Sequence, residues 1–87
     1  MQRANVYKLI DGERDYQDRK WTPETTTSNG IHSVEEWLLY IHDYVHEGMN
    51  IGSRKPRQES DVTCMEIIRK IAAMSVCAME QHETPPR

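Results

Sequence analysis

The segment from Ser33 to Met49, SVEEWLLYIHDYVHEGM, decides the fold class. Ser33 followed three residues later by Glu36 is a capping box, which predicts the start of a helix. Val34, Trp37, Leu38, Ile41, Val45 and Met49 recur at three- and four-residue steps and form one apolar stripe, the expected core face. Beside that stripe stand Glu36, Tyr40, Asp43 and Glu47 in a row, with His42 and His46 alongside. One helix thus offers a core face and, next to it, a face of carboxylates, imidazoles and a phenol. Chemistry or binding is expected on that second face.

Helices are expected on both sides of this one. Over residues 3–21, Val6, Leu9, Ile10 and Tyr16 give an apolar face, with Gly12 marking a break or a close helix crossing. The end of that helix, ERDYQDRKW, carries Arg14, Gln17, Lys20 and Trp21 on neighbouring turns. Residues 22–32, TPETTTSNGIH, read as a loop: Pro23 stops the helix, three threonines disfavour one, and Asn29-Gly30 is a turn signal. Eleven irregular residues are many for a small domain and suggest a functional flap or a plain connector.

The central helix is expected over 33–50, fraying through Asn50 and Gly52 into GSRKPRQES, where Arg54, Lys55 and Arg57 form a basic loop. The last helix is expected over 61–81, with Ser60 as its N-cap and Thr63 with Glu66 as a second capping pattern. It carries two apolar stripes. Val62, Met65, Ile68, Ala72, Val76 and Met79 form one; Ile67, Ile71, Met74 and Ala78 form the other. An arc this wide exceeds what one partner helix covers, so a homo-oligomer is expected. No strand-like alternation, repeat or low-complexity segment is present. The reading is a single all-α domain, residues 1–87, of about three helices.

Composition narrows the function classes. A chain of 87 residues hides only about 60–65% of the surface its unfolded form exposes. With 37% hydrophobic residues and no Phe, help from self-association is expected. A net charge of -3 argues against general nucleic-acid binding while leaving room for a local basic pocket. No apolar run approaches 18 residues and the N-terminus lacks a signal-peptide core, so no membrane span is expected and the cytoplasm is the expected compartment. Cys64 and Cys77 fall about 20 Å apart on one helix, too far to bridge, and read as reduced thiols. His42 and His46 lack the partners of a zinc motif, and there is no phosphate-binding glycine loop.

Taken together, GERDYQDRKW, His32, EEWLLYIHDYVHE and MEIIRKIAAMSVCAMEQH resemble small phage-encoded proteins related to the MazG-like, all-α nucleoside triphosphate pyrophosphohydrolases. The resemblance spans most of the chain. It matches Arg14, Gln17, Lys20 and Trp21 to the signature that ends the family's first helix. Aligned on Trp37, the three carboxylates of the family's EExxE motif fall on Asp43, Tyr44 and Glu47, so one acid is a tyrosine. The second acidic motif is reduced to Glu66, with Arg69 and Lys70 near its other position, and the middle helix looks deleted in favour of the basic loop. Family members hold Mg²⁺ with about four carboxylates. The resemblance therefore implies a nucleotide-sized site that has lost much of its metal chemistry, in a protein of the host cytoplasm.

Three readings follow. The first is a non-catalytic phage protein that sequesters a nucleotide, a cyclic nucleotide or another nucleotide-derived immune signal, an anti-defence sponge with no cofactor. The second is a minimal Mg²⁺-dependent dNTP pyrophosphohydrolase using Asp43, Glu47 and Glu66 across subunits. The third is a small helical inhibitor of a host protein. For the first, the expected ligand site is Arg14, Gln17, Lys20 and Trp21 facing Asp43, Tyr44 and Glu47, with Arg69 and Lys70 closing it. No catalytic residue is assigned.

Overall fold

A computed structural model describes residues 1–26 and 28–87, without the side chain of Ser28; Thr27, within the expected loop, lies outside the described residues. The chain is all-α: α1 Arg3–Lys20, a short 3-10 turn Ser28–Gly30, α2 Val34–Arg54 and α3 Arg57–Gln81. Helices α1 and α2 each pack on α3 and not on each other. The last helix is therefore the hub, and the other two diverge from it.

The start of α2 follows its local sequence. Ser33 accepts from the Glu36 amide (3.1 Å), and Glu36 Oε1 accepts from the Ser33 amide (3.0 Å). These bonds hold the Glu36 carboxyl below the usual carboxylate range. The sign follows: a depressed acid contributes stability above its unfolded pKa and loses it as pH falls through the folded value. The capping bond is thus complete at neutral pH and weakens in acid.

Beyond the cap, five expectations are corrected. Helix α2 does not fray at Asn50; it runs through Gly52 to Arg54, with Ile51 half-buried. The basic cluster is not a loop. Arg54 ends α2, Lys55 is extended ahead of Pro56, and Arg57 opens α3. Proline restricts its predecessor to extended backbone and presets its own φ for a helix start, so two residues suffice as the joint.

Ser60 and Thr63 are not caps. Ser60 is buried with its hydroxyl donating to the Arg57 carbonyl (3.0 Å), and Thr63 donates to the Glu59 carbonyl (3.2 Å), both inside α3. Gly12 marks neither a break nor a crossing: α1 runs through it, and no atom lies within 4 Å of where its Cβ would be. The close approach comes at Gly48 instead, where an added Cβ would sit 3.7 Å from an Ile67 methyl and the carbonyl accepts from Cys64 Sγ (3.4 Å).

The fifth correction concerns the apolar stripe of α2. Trp37 is buried and Ile41 half-buried, but Val34, Leu38, Val45 and Met49 are exposed. The face turned to α3 is Trp37, Ile41, Tyr44, Gly48 and Ile51, about 60° around the helix. On α3, the stripe containing Ile67 and Met74 is covered, whereas Val62, Met65, Ile68 and Met79 of the other stripe are exposed. Among the described residues, no large side chain is fully buried.

Candidate functional site

Because α1 and α2 diverge over α3, a cleft of about 420 Å³ opens between them. From α1 it takes Arg14, Gln17, Asp18 and the following Trp21; from α2, Trp37, Tyr40, Asp43 and Tyr44. Met74, Cys77 and Gln81 of α3 form the floor, and the connecting segment adds Thr26, Asn29, Gly30 and His32.

The connector is held by its own polar groups. The Thr22 amide donates to Thr25 Oγ1 (2.8 Å), which donates to the Lys20 carbonyl (2.9 Å) at the end of α1. Asn29 and Gly30 have positive φ, 56° and 77°, so the Asn-Gly turn is realised. Its far end is tied to α3 by Gln81. The Oε1 atom accepts from Trp37 Nε1 (2.9 Å) and the His32 amide (3.2 Å), while Nε2 donates to the Gly30 carbonyl (2.7 Å). His82 Nε2 donates to the His32 carbonyl (2.8 Å).

His32 itself is 7% exposed, its ring edge-on to Trp37 (5.2 Å) and Tyr40 (5.0 Å). Its Nδ1 is buried without a hydrogen-bond partner, 3.6 Å from a Glu36 oxygen. The upper end of the cleft is thus an aromatic cluster pinned by one amide side chain.

At the other wall, Arg14 is paired with two acids. It donates through Nε and Nη2 to both Glu80 oxygens (2.9 and 3.1 Å) and through Nη1 to Asp18. Burial alone would lower its pKa, but these bonds to Glu80 and Asp18 outweigh it and raise it further. Burial likewise pushes the Cys77 thiol up, against the opposing pull of Arg14. The charged groups lining the cleft are therefore one compensated cation and two carboxylates, Asp18 and Asp43.

Of the residues expected at the site, the structure brings together Arg14, Gln17, Trp21, Asp43 and Tyr44. Lys20 stands beside the cleft, its Nζ 5.0 Å from the Trp21 ring centroid. Glu47 lines a separate, shallower groove with Asp43, His46, Asn50, Arg54 and Lys55. Arg69 and Lys70 do not close the cleft. Arg69 Nε donates to the buried Glu13 carboxylate (2.8 Å), and Lys70 contributes its backbone carbonyl to Gln17 Nε2 (3.2 Å).

Gln81, Trp37 and His32 were not expected at the site. The signal for Gln81 was available: it continues the Met74–Ala78 stripe as a polar residue on an otherwise apolar face.

Among the described residues, no group of three or more His, Cys, Asp or Glu side chains is arranged to share a metal ion. The set Asp43, Glu47 and Glu66 does not fit Mg²⁺ within one chain, since Glu66 is exposed on α3 and is not among the residues lining either cleft. No described helix is long and apolar enough to cross a membrane. No family model matches the chain, and neither a curated protein nor a solved structure matches it.

Proposed function

We propose that the cleft binds a nucleotide by its base and that the protein retains the ligand without hydrolysing it. The observation that carries this is the wall composition. Five rings, Trp21, His32, Trp37, Tyr40 and Tyr44, surround a space of about 420 Å³ together with Gln17, Asp18 and Asp43. A volume of that order suits a small ligand, for which sites span roughly 300–1,000 Å³. Aromatic walls stack on a flat ring, and the carboxylates accept from base amino groups or ribose hydroxyls. Phosphates do not belong deep in the cleft, because its one cation is already paired with two acids. They belong at the rim near Lys20, or they displace Glu80 from Arg14. Sequestration of a nucleotide signal by a phage-type protein is the role consistent with this site and with the resemblance of its motifs.

Calorimetry against mono-, di- and cyclic nucleotides tests the reading, with the fluorescence of the two cleft tryptophans as a second readout. Trp21→Ala and Lys20→Ala are expected to weaken binding at least about fivefold, since stacking contributes about 1–3 kcal/mol and a charge-assisted bond about 1.5–3 kcal/mol. Absence of binding by every nucleotide, or unchanged affinity in both variants, overturns it.

Hydrolysis is expected to be absent or far below 1 s⁻¹, a modest rate for an enzyme. Tyr44 stands where the related motif has a carboxylate, and Asp43 and Glu47 have no third acid arranged with them. Pyrophosphate release from dNTPs with Mg²⁺ or Mn²⁺ near 1 s⁻¹ would replace the binding reading with the enzyme one.

A further inference from the structure

The protomer exposes more surface than its mass allows for a folded monomer. Its accessible surface is 7005 Å², whereas a folded chain of 10.2 kDa presents about 5,300 Å². The exposed tail after His82 supplies at most about 600 Å² of that excess on the unfolded-chain scale. About 1,100 Å² remains, more than the roughly 800 Å² that each partner buries in a standard interface. The radius of gyration points the same way, at 14.2 Å against about 12 Å for a compact chain of this length.

The excess has a location. Taking 100° per residue, α3 presents three sectors. One meets α1 through Arg69, Lys70 and Glu80, which bond Glu13, Gln17 and Arg14. A second, with Ile67 and Met74, is buried on the side of α2. The third holds Val62, Met65, Ile68, Ala72, Val76 and Met79, and four of these are exposed. Arg69, at its edge, is turned to Glu13, so no free charge breaks the sector between Val62 and Met79. On α2 the exposed Val34, Leu38, Val45 and Met49 fall on the flank turned away from the cleft, since Tyr40 and Asp43 line the cleft from the other flank. The face opposite the cleft is therefore apolar across two helices.

We infer that a second copy of this chain covers that face, with the two α3 helices meeting across a two-fold axis and the two clefts opening outward. The occupant is a second copy because the need is permanent. The apolar core of the protomer is small, with Trp37, Ile67, Ala73 and Met74 buried among the described residues, and its own copy is the partner present from synthesis onward. Charge depletion at the centre of the patch and an area above the standard size agree with a stable interface. The inference stands apart from the identity of the ligand, because no residue of the back face lines the cleft.

Sedimentation equilibrium of the purified chain at micromolar concentration is expected to give twice the 10.2 kDa protomer mass. Peroxide footprinting locates the contact in the unmodified protein. Met65 and Met79, exposed in the protomer, should oxidise at least fivefold more slowly than in the urea-unfolded chain, as should the buried Met74. Leu39→Glu, exposed on the outer side of α2, should leave the dimer intact. Ile68→Glu should give a monomer or no folded chain, and a folded Ile68→Glu dimer would overturn the proposal. So would a well-folded wild-type monomer, or a dimer in which Met65 and Met79 oxidise at the unfolded rate.

Discussion

Gln81→Ala is expected to lower the unfolding free energy by about 3 kcal/mol. Three groups lose their partner together: the indole N–H of Trp37, the His32 amide and the Gly30 carbonyl. Each buried polar group left unpaired costs about 1–3 kcal/mol, and water entering from the open side of the cleft recovers part of that. At a urea slope of about 1 kcal/mol/M, the midpoint should fall by about 3 M. Gln81→Glu separates the components. It keeps an acceptor for Trp37 and His32 but sets a carboxylate oxygen against the Gly30 carbonyl, so an intermediate loss is expected. A Gln81→Ala midpoint within 1 M of wild type would show that the connector is not held by this side chain. The same variant should loosen residues 29–32 and weaken any cleft ligand, because that segment forms one end of the site.

Arg69→Ala is expected to cost about 2 kcal/mol of stability and to leave nucleotide affinity unchanged. Breaking a buried ion pair leaves the surviving charge without compensation, at about 3–5 kcal/mol when both groups are buried. Here the Glu13 side chain is 6% exposed but Arg69 is 40% exposed, so water reaches one side of the pair and the cost is smaller. The double variant Glu13→Gln/Arg69→Ala should recover most of the loss, since the orphaned charge is gone. Denaturant titration of the wild type, both single variants and the double variant measures the coupling. An affinity loss in Arg69→Ala with unchanged stability would return this residue to the ligand site.

Electrostatics decides which part of a nucleotide the cleft can take. Position alone would make Arg14 a phosphate ligand, yet its fork is filled by Glu80 and Asp18. A phosphate arriving there must displace a carboxylate in bidentate contact, a near-even exchange of one anion for another. Among the described residues Lys20 forms no ion pair with an acid, and its ammonium rests over the Trp21 ring at 5.0 Å. Affinity is therefore expected to follow the base more closely than the phosphate number.

The presence of three helices and the start of α2 were legible in the sequence, because those depend on interactions within four residues. The Ser33–Glu36 box is closed by neighbours in the chain, and the positive φ of Asn29 and Gly30 follows from residue type. Arg14, Gln17, Trp21, Asp43 and Tyr44, expected to face one another across two helices, line one cleft. The rest is set by packing between helices. Arg69 could have faced a ligand or an acid, and only the packing of α1 on α3 delivers Glu13, 56 residues away. Gln81 reads as a helix end until Trp37 and Gly30, 44 and 51 residues distant, converge on it. On α2 and α3 two apolar stripes compete for one partner each, and periodicity cannot rank them. Packing selected the stripe in which Gly48 admits Ile67 and left the other exposed, since close approach of two helices depends on the smallest side chain at the crossing.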